Sequence, residues 1–131
     1  MTTQQAGGTF DVKLAPLDLH YDGGDKQGRM GIDKTFNGEL EATSKGEMLT
    51  AMTDVKGSAV YVAIEHVTGT LNGKKGSFVL HHRGVMNDGE QQLEVNVVPD
   101  SGTGELEGLS GEMNIQIDNG IHFYDFEYDL P

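Results

Sequence analysis

Apolar and polar residues alternate with a period of two along most of this chain, and helical spacing is nearly absent. Such alternation marks strands with one face buried and the other in water. Phe10, Val12 and Leu14 alternate with Thr9, Asp11 and Lys13; Pro16 interrupts, and Leu17, Leu19 and Tyr21 take up the pattern again. Met30, Ile32 and Phe36 form a run that ends at Asn37-Gly38, and another extends from about Glu39 to Thr53, ahead of Lys56-Gly57. Residues 58–70 and 77–86 flank Asn72-Gly73, the strongest short-range hairpin signal in the chain. Asp88-Gly89 leads into residues 91–98, a shorter run covers 112–117, and Asn119-Gly120 precedes a last run over 121–130. The pattern predicts an all-β fold: one antiparallel barrel of about eight strands. It spans residues 1–131 as a single domain, with 1–7 as a flexible N-terminal segment. A β-sandwich is the alternative.

Turn length sets register. If Asn72-Gly73 is a two-residue turn, Leu71 opposes Lys74, Glu65 opposes Leu80 and Ala63 opposes His82. One face then carries Tyr61, Ala63, Glu65, Val67, Phe78, Leu80, His82 and Met86. The other carries Val60, Val62, Ile64, His66, Val79, His81, Arg83 and Val85. A two-residue turn at Asp88-Gly89 continues the first face through Leu93, Val95 and Val97, and the second through Gln92, Glu94 and Asn96. The polar continuation marks the outside, so Glu65 and His82 point inward as diagonal neighbours. Tyr124, Phe126 and Tyr128 alternate with Asp125, Glu127 and Asp129, which predicts an inward aromatic face with His122 at its start. Lys34 falls on the apolar parity between Ile32 and Phe36, and a two-residue turn at Asn37-Gly38 would set it opposite Glu41.

The inward polar residues are the candidates for chemistry. Lys34, Glu41, Glu65 and His82 are expected to form one cluster, since buried charges must compensate one another. With Tyr61 and Tyr124 they make the candidate ligand-binding set. Glu65 and His82 are the candidate catalytic pair, because a carboxylate beside an imidazole suits proton transfer near neutral pH. The same groups also read as mutually satisfied structure at a barrel mouth. Three functions therefore stay open: a barrel that binds a small apolar molecule, an isomerase or cyclase using Glu65 and His82, and a structural protein with a filled barrel. No metal site is expected, because His81 and His82 are adjacent on one strand and face opposite sides, and no HExxH spacing occurs. No cofactor is expected. The glycine-rich stretch from Asp100 to Gly111 lacks the Gly-Lys-Ser/Thr ending of a phosphate loop and reads as a tight structural turn.

Composition narrows the partners. The formal charge is −12, from 21 acids against 9 bases. Such a surface repels phosphate backbones and anionic lipids, which argues against nucleic-acid and membrane partners. There are no cysteines, no apolar run of membrane-spanning length and no signal-peptide pattern at the start, so a cytoplasmic protein is expected. Val60, Val62, Ile64, Val79 and Val85 cluster on the outward face, ringed by His66, His81 and Arg83. That anatomy predicts a homodimer or another closed oligomer through the outer face of strands 58–70 and 77–86.

Several segments resemble a mainly bacterial family of proteins of unknown function with an allene-oxide-cyclase-like barrel. They are Lys34-Thr-Phe-Asn-Gly-Glu-Leu-Glu41, Glu65-His-Val-Thr-Gly-Thr-Leu71, Gly76-Ser-Phe-Val-Leu-His-His-Arg-Gly84 and Val98-Pro-Asp-Ser-Gly-Thr-Gly-Glu-Leu106. The similarity runs from about Gly8 to near the C-terminus, and the family pattern includes the positions of Lys34, Glu41, Glu65 and His82. The resemblance implies an antiparallel barrel and no assigned activity. The chain departs at His81, where a glutamine is common, and at Asp100, where a glycine is common. Cyclase activity does not follow from the barrel alone.

Overall fold

The structure, a computed structural model, describes residues 3–131. Among these residues eight strands close in chain order into an antiparallel barrel. They are β1 (Gln4–Leu17), β2 (Gln27–Gly38), β3 (Leu40–Met52), β4 (Ala59–Leu71), β5 (Lys74–Asn87), β6 (Glu90–Val97), β7 (Ser110–Asp118) and β8 (Ile121–Asp129). β8 closes the ring on β1, with Phe10 opposite His122. The seam between β6 and β7 is the thinnest, a single pairing of Asn96 with Glu112.

Three hairpins owe their register to local turn chemistry. Asn72 and Gly73 have φ of 47° and 84°, Asp88 and Gly89 54° and 81°, Asn119 and Gly120 51° and 77°. Left-handed backbone at both central residues is the type I′ turn, whose twist matches that of paired strands. Glu65 accordingly opposes Leu80, Ala63 opposes His82, and His82 opposes Val95. Gln92 and Glu94 are exposed, while Val95 and Val97 are buried.

Asn37-Gly38 behaves differently. β2 continues past Asn37 because β1 keeps pairing with it, Thr9 to Asn37 and Gly8 to Gly38, and Glu39 N donates to Gly7 O at 3.2 Å. The connection is therefore longer than two residues, and Lys34 opposes Ser44 instead of Glu41. Glu41 takes the opposite parity and lies exposed, paired with Thr70. Its expected place in the inner cluster is not realised.

The chain start also departs from expectation. Gln4–Gly7 belong to β1 and pair with β8, burying Ala6 to 1% exposure. Of the expected flexible segment 1–7, Met1 and Thr2 lie outside the described residues. Pro16 does not interrupt β1. It pairs with Met30 of β2, and β8 stops pairing with β1 at Phe10, so no neighbour requires the missing N–H. Leu19 and Tyr21 lie in the β1–β2 connection.

The two ends of the barrel differ. One is packed solid by Phe36, Leu40, Leu71, Phe78, Phe126 and Tyr128. The glycine-rich segment seals this end. It contains a one-turn 3₁₀ helix, Gly104–Leu106, and buries Leu106 and Leu109 at 1% and 2% exposure. Thr103 N donates to Ser77 O at 2.8 Å, and Val79 N donates to Ser101 Oγ at 3.0 Å, tying the segment to β5. A Cβ on Gly76 would stand 2.1 Å from Thr103 O, so only glycine admits this approach. At the other end β1 runs on past its last pairing with β8, Phe10 with His122. Val12 and Leu93, expected in the core, are only partly buried there.

Candidate functional site

Glu65 sits where the packed half of the barrel meets the open half. Period-two alternation on β4 turns Tyr61, Ala63, Glu65 and Val67 inward, and Glu65 is fully buried. An isolated buried carboxylate is strongly unfavourable. Lys34 Nζ of β2 lies 2.8 Å from its Oε2, and His82 Nε2 of β5 lies 3.1 Å from the same oxygen. Ser44 Oγ of β3 donates to Oε1 at 3.4 Å. The His82 contact is short but off the hydrogen-bonding direction: neither Nε2 nor Oε2 has a well-formed hydrogen bond among the described residues. Burial alone pushes the Glu65 carboxyl up, but His82 and Lys34 together outweigh burial and hold it below the ordinary glutamate value. Glu65 is thus an ionised group at neutral pH. The Lys34 ammonium also stands over the Phe10 ring at 4.9 Å, a cation–π contact.

Two glycines shape the site. Gly46 opposes Glu65 across β3 and β4, and a Cβ there would fall 2.7 Å from Glu65 Cα. Its absence lets β3 close over the carboxylate. Gly84 opposes Tyr61, and a Cβ there would stand 2.2 Å from Tyr61 Cε1. The Tyr61 ring therefore lies over Gly84, with its centroid 6.4 Å from that of His82. Burial, and secondarily the Glu65 charge, pushes the Tyr61 hydroxyl above its ordinary value.

Above this cluster the open half holds a cavity of about 330 Å³ that opens to solvent. Its walls are mainly Phe10, Val12, Leu14, Ile32, Met48, Leu93, Ile115 and Ile117. Its polar lining includes Lys34, Tyr61, His82 and His122. A second hollow of about 220 Å³ shares Thr50, Tyr61 and Gln91 with it, so these residues divide the two. Volumes near 300 Å³ lie at the lower end of small-molecule sites, and apolar walls with a few polar groups are their usual make-up.

Lys34, Tyr61, Glu65 and His82 are thus brought together, and Glu41 is not. Tyr124 is also apart from the cavity. Its hydroxyl accepts from Leu40 N at 3.0 Å and lies 3.0 Å from Asn37 O and 3.1 Å from Leu40 O as a donor, so it pins the β2–β3 connection. Burial raises its pKa. Ser44, Gly46 and Gly84 did not stand out as site residues in the sequence. The parity of Ser44 and Gly46 becomes legible only once the β2–β3 connection has its true length. His81 faces outward and His82 inward. Among the described residues no three His, Asp or Glu side chains gather to hold a metal ion, and no helix is long and apolar enough to cross a membrane.

The fold has a close counterpart among solved structures. A crystal structure of a protein of unknown function from Shewanella oneidensis MR-1 is 55% identical to this chain. The match covers 99% of this chain and 98% of that one, with a TM-score of 0.94. No protein of curated function matches significantly. Residues 6–128 match the family described as Protein of unknown function (DUF3224), and the chain belongs to that family.

Proposed function

We propose that this protein binds a small, neutral, mostly apolar molecule in the open half of its barrel, with one hydrogen-bond acceptor of the ligand directed at Lys34 and His82. The observation that carries the reading is the cavity of about 330 Å³, apolar in its walls and donor-rich at its base. Lys34 brings three N–H groups and His82 at least one, while Glu65 is the one carboxylate they share. A carbonyl-type oxygen would take up the surplus donors. Neutrality is argued from the entrance. The connections and adjoining strand ends at the open end carry Asp18, Asp22, Asp25, Asp54, Asp88, Glu90 and Asp118 against Lys26 and Lys56. Lys26 is already paired with Asp54 at 2.7 Å. Such a collar repels anions.

An NMR titration with octan-2-one and with octanoate tests the reading. The ketone should shift the signals of Lys34, Tyr61, His82 and His122, and octanoate should bind more weakly in low salt. No shift with either probe, together with a ligand-free native mass spectrum of protein taken from its own host, would overturn it.

The Glu65–His82 contact favours a second reading, an isomerase or cyclase that transfers a proton between ligand and this pair. The barrel of the allene-oxide-cyclase kind belongs with this reading, supported by eight antiparallel strands and by no assigned chemistry. Glu65→Gln and His82→Ala separate the two. Binding should survive one of these changes, whereas turnover should survive neither.

A further inference from the structure

Acids are distributed unevenly over this chain. From Ala59 to Asn87, the whole of β4 and β5, the one acid is Glu65, and it is buried; the segment's bases are Lys74, Lys75 and Arg83. The rest of the chain holds twenty acids against six bases. The outward face of this hairpin is also apolar. Val60, Val62 and Ile64 on β4 are 42%, 46% and 57% exposed, and Leu49 beside Val62 on β3 is 51% exposed. Arg83, next to Val62 on β5, has no ion-pair partner among the described residues.

We propose that this face is where two copies of the chain meet, in a closed two-fold dimer centred on Val62. Repulsion between two strongly acidic molecules is governed by charges within about a Debye length of the contact, about 10 Å in 0.1 M salt. The hairpin itself exposes no acid; the nearest on this face flank it, Glu47 beside Ile64 on β3 and Glu94 beside Arg83 on β6. The competing apolar surface, the open rim with Leu14, Met52 and Ile117, is ringed by Asp18, Asp54, Asp88 and Asp118. A mouth-to-mouth dimer would oppose those rings.

The face is also self-complementary, as a two-fold contact requires. The apolar stripe of β4 has a basic flank, His81 and Arg83 on β5, and an acidic one, Glu47 on β3. In the cross-strand rows Arg83 aligns with Val62 and Leu49, and His81 aligns with Ile64 and Glu47. A two-fold axis along β4 lays β5 of one copy over β3 of the other. Arg83 and His81 then approach the partner's Glu47, whose carboxylate Arg29 of its own chain already holds at 2.6 Å.

Light scattering and sedimentation velocity of the full chain, in low and in moderate salt, test this. A dimer of the 14.1 kDa chain is expected, tightening as salt screens the overall charge. Val62→Asp and Ile64→Asp lie on the exposed face, so they should leave the circular dichroism and melting of the monomer intact. Each should raise the dimer dissociation constant at least about tenfold. Ile117→Asp, on the rim, should leave it unchanged. A monomer at high concentration in both salts would overturn the proposal. So would a dimer unaffected by the hairpin variants or broken by Ile117→Asp.

Discussion

The Lys34–Glu65 pair gives the sharpest test of how this barrel tolerates charge. In Lys34→Met the carboxylate keeps His82 at 3.1 Å and Ser44 at 3.4 Å but loses the ammonium at 2.8 Å. The lysine side chain is 8% exposed and the glutamate 0%, so neither is screened much by water. Removing one partner of a buried pair costs about 3–5 kcal/mol. His82 remains in place and methionine fills a similar volume, which puts the loss at the lower end, about 3 kcal/mol. With an unfolding entropy of about 2.1 cal/mol/K per residue, that lowers Tm by about 10 °C for a chain of this length. Glu65→Gln alone should cost less, because Lys34 keeps the Phe10 ring beneath it. The double variant should be destabilised by at least about 1 kcal/mol less than the sum of the singles. Urea unfolding of the four proteins measures the cycle, at one fixed protein concentration because association shifts apparent stability. If Lys34→Met unfolds within about 1 kcal/mol of the parent, or the two changes add within about 0.5 kcal/mol, the pair is not the compensating unit described above.

Acid should weaken the fold through the same carboxyl. Glu65 is held below its ordinary value of 4.5, so its contribution is complete above that pH and is lost as the pH falls through the lower folded value; Glu65→Gln should show a shallower loss in urea midpoints measured down the acid limb. Gly84→Ala forces a Cβ against Tyr61 and should cost about 1–3 kcal/mol while changing the tyrosine near-ultraviolet dichroism; an unchanged spectrum and melting curve would contradict the packing of that ring. Leu106→Ala should cost about 2–5 kcal/mol by opening a void under the sealed end, which chemical denaturation will register; a neutral result would mean that the segment from Asp100 to Gly111 closes nothing.

The sequence by itself determined the hairpins on which the site depends. Asn72-Gly73 and Asp88-Gly89 accept left-handed backbone at both turn positions, and the period of two then assigns every side chain of β4, β5 and β6 to a face. Glu65 and His82 were legible as inward neighbours for that reason, and Lys34 from its parity between Ile32 and Phe36. Only the tertiary structure decided the rest. Asn37-Gly38 has the same dipeptide chemistry, yet Gly7 and Gly8 of β1 bond across to Glu39 and pair with Gly38, holding Asn37 in a strand and turning Glu41 out and Ser44 in. Leu106 and Leu109 carry no periodic signal and become a plug because Ser77 of β5 holds the Thr103 backbone N–H and Val79 N–H holds the Ser101 hydroxyl. The cavity is lined from opposite ends of the chain, by Phe10, Val12 and Leu14 of β1 and by Ile115, Ile117 and His122 of β7 and β8, which only the β1–β8 pairing brings together. Turn preference acts over four residues and can be read locally; strand pairing from farther along the chain, as Gly8 with Gly38, competes with it and, where the two disagree, supplies more hydrogen bonds and more buried surface.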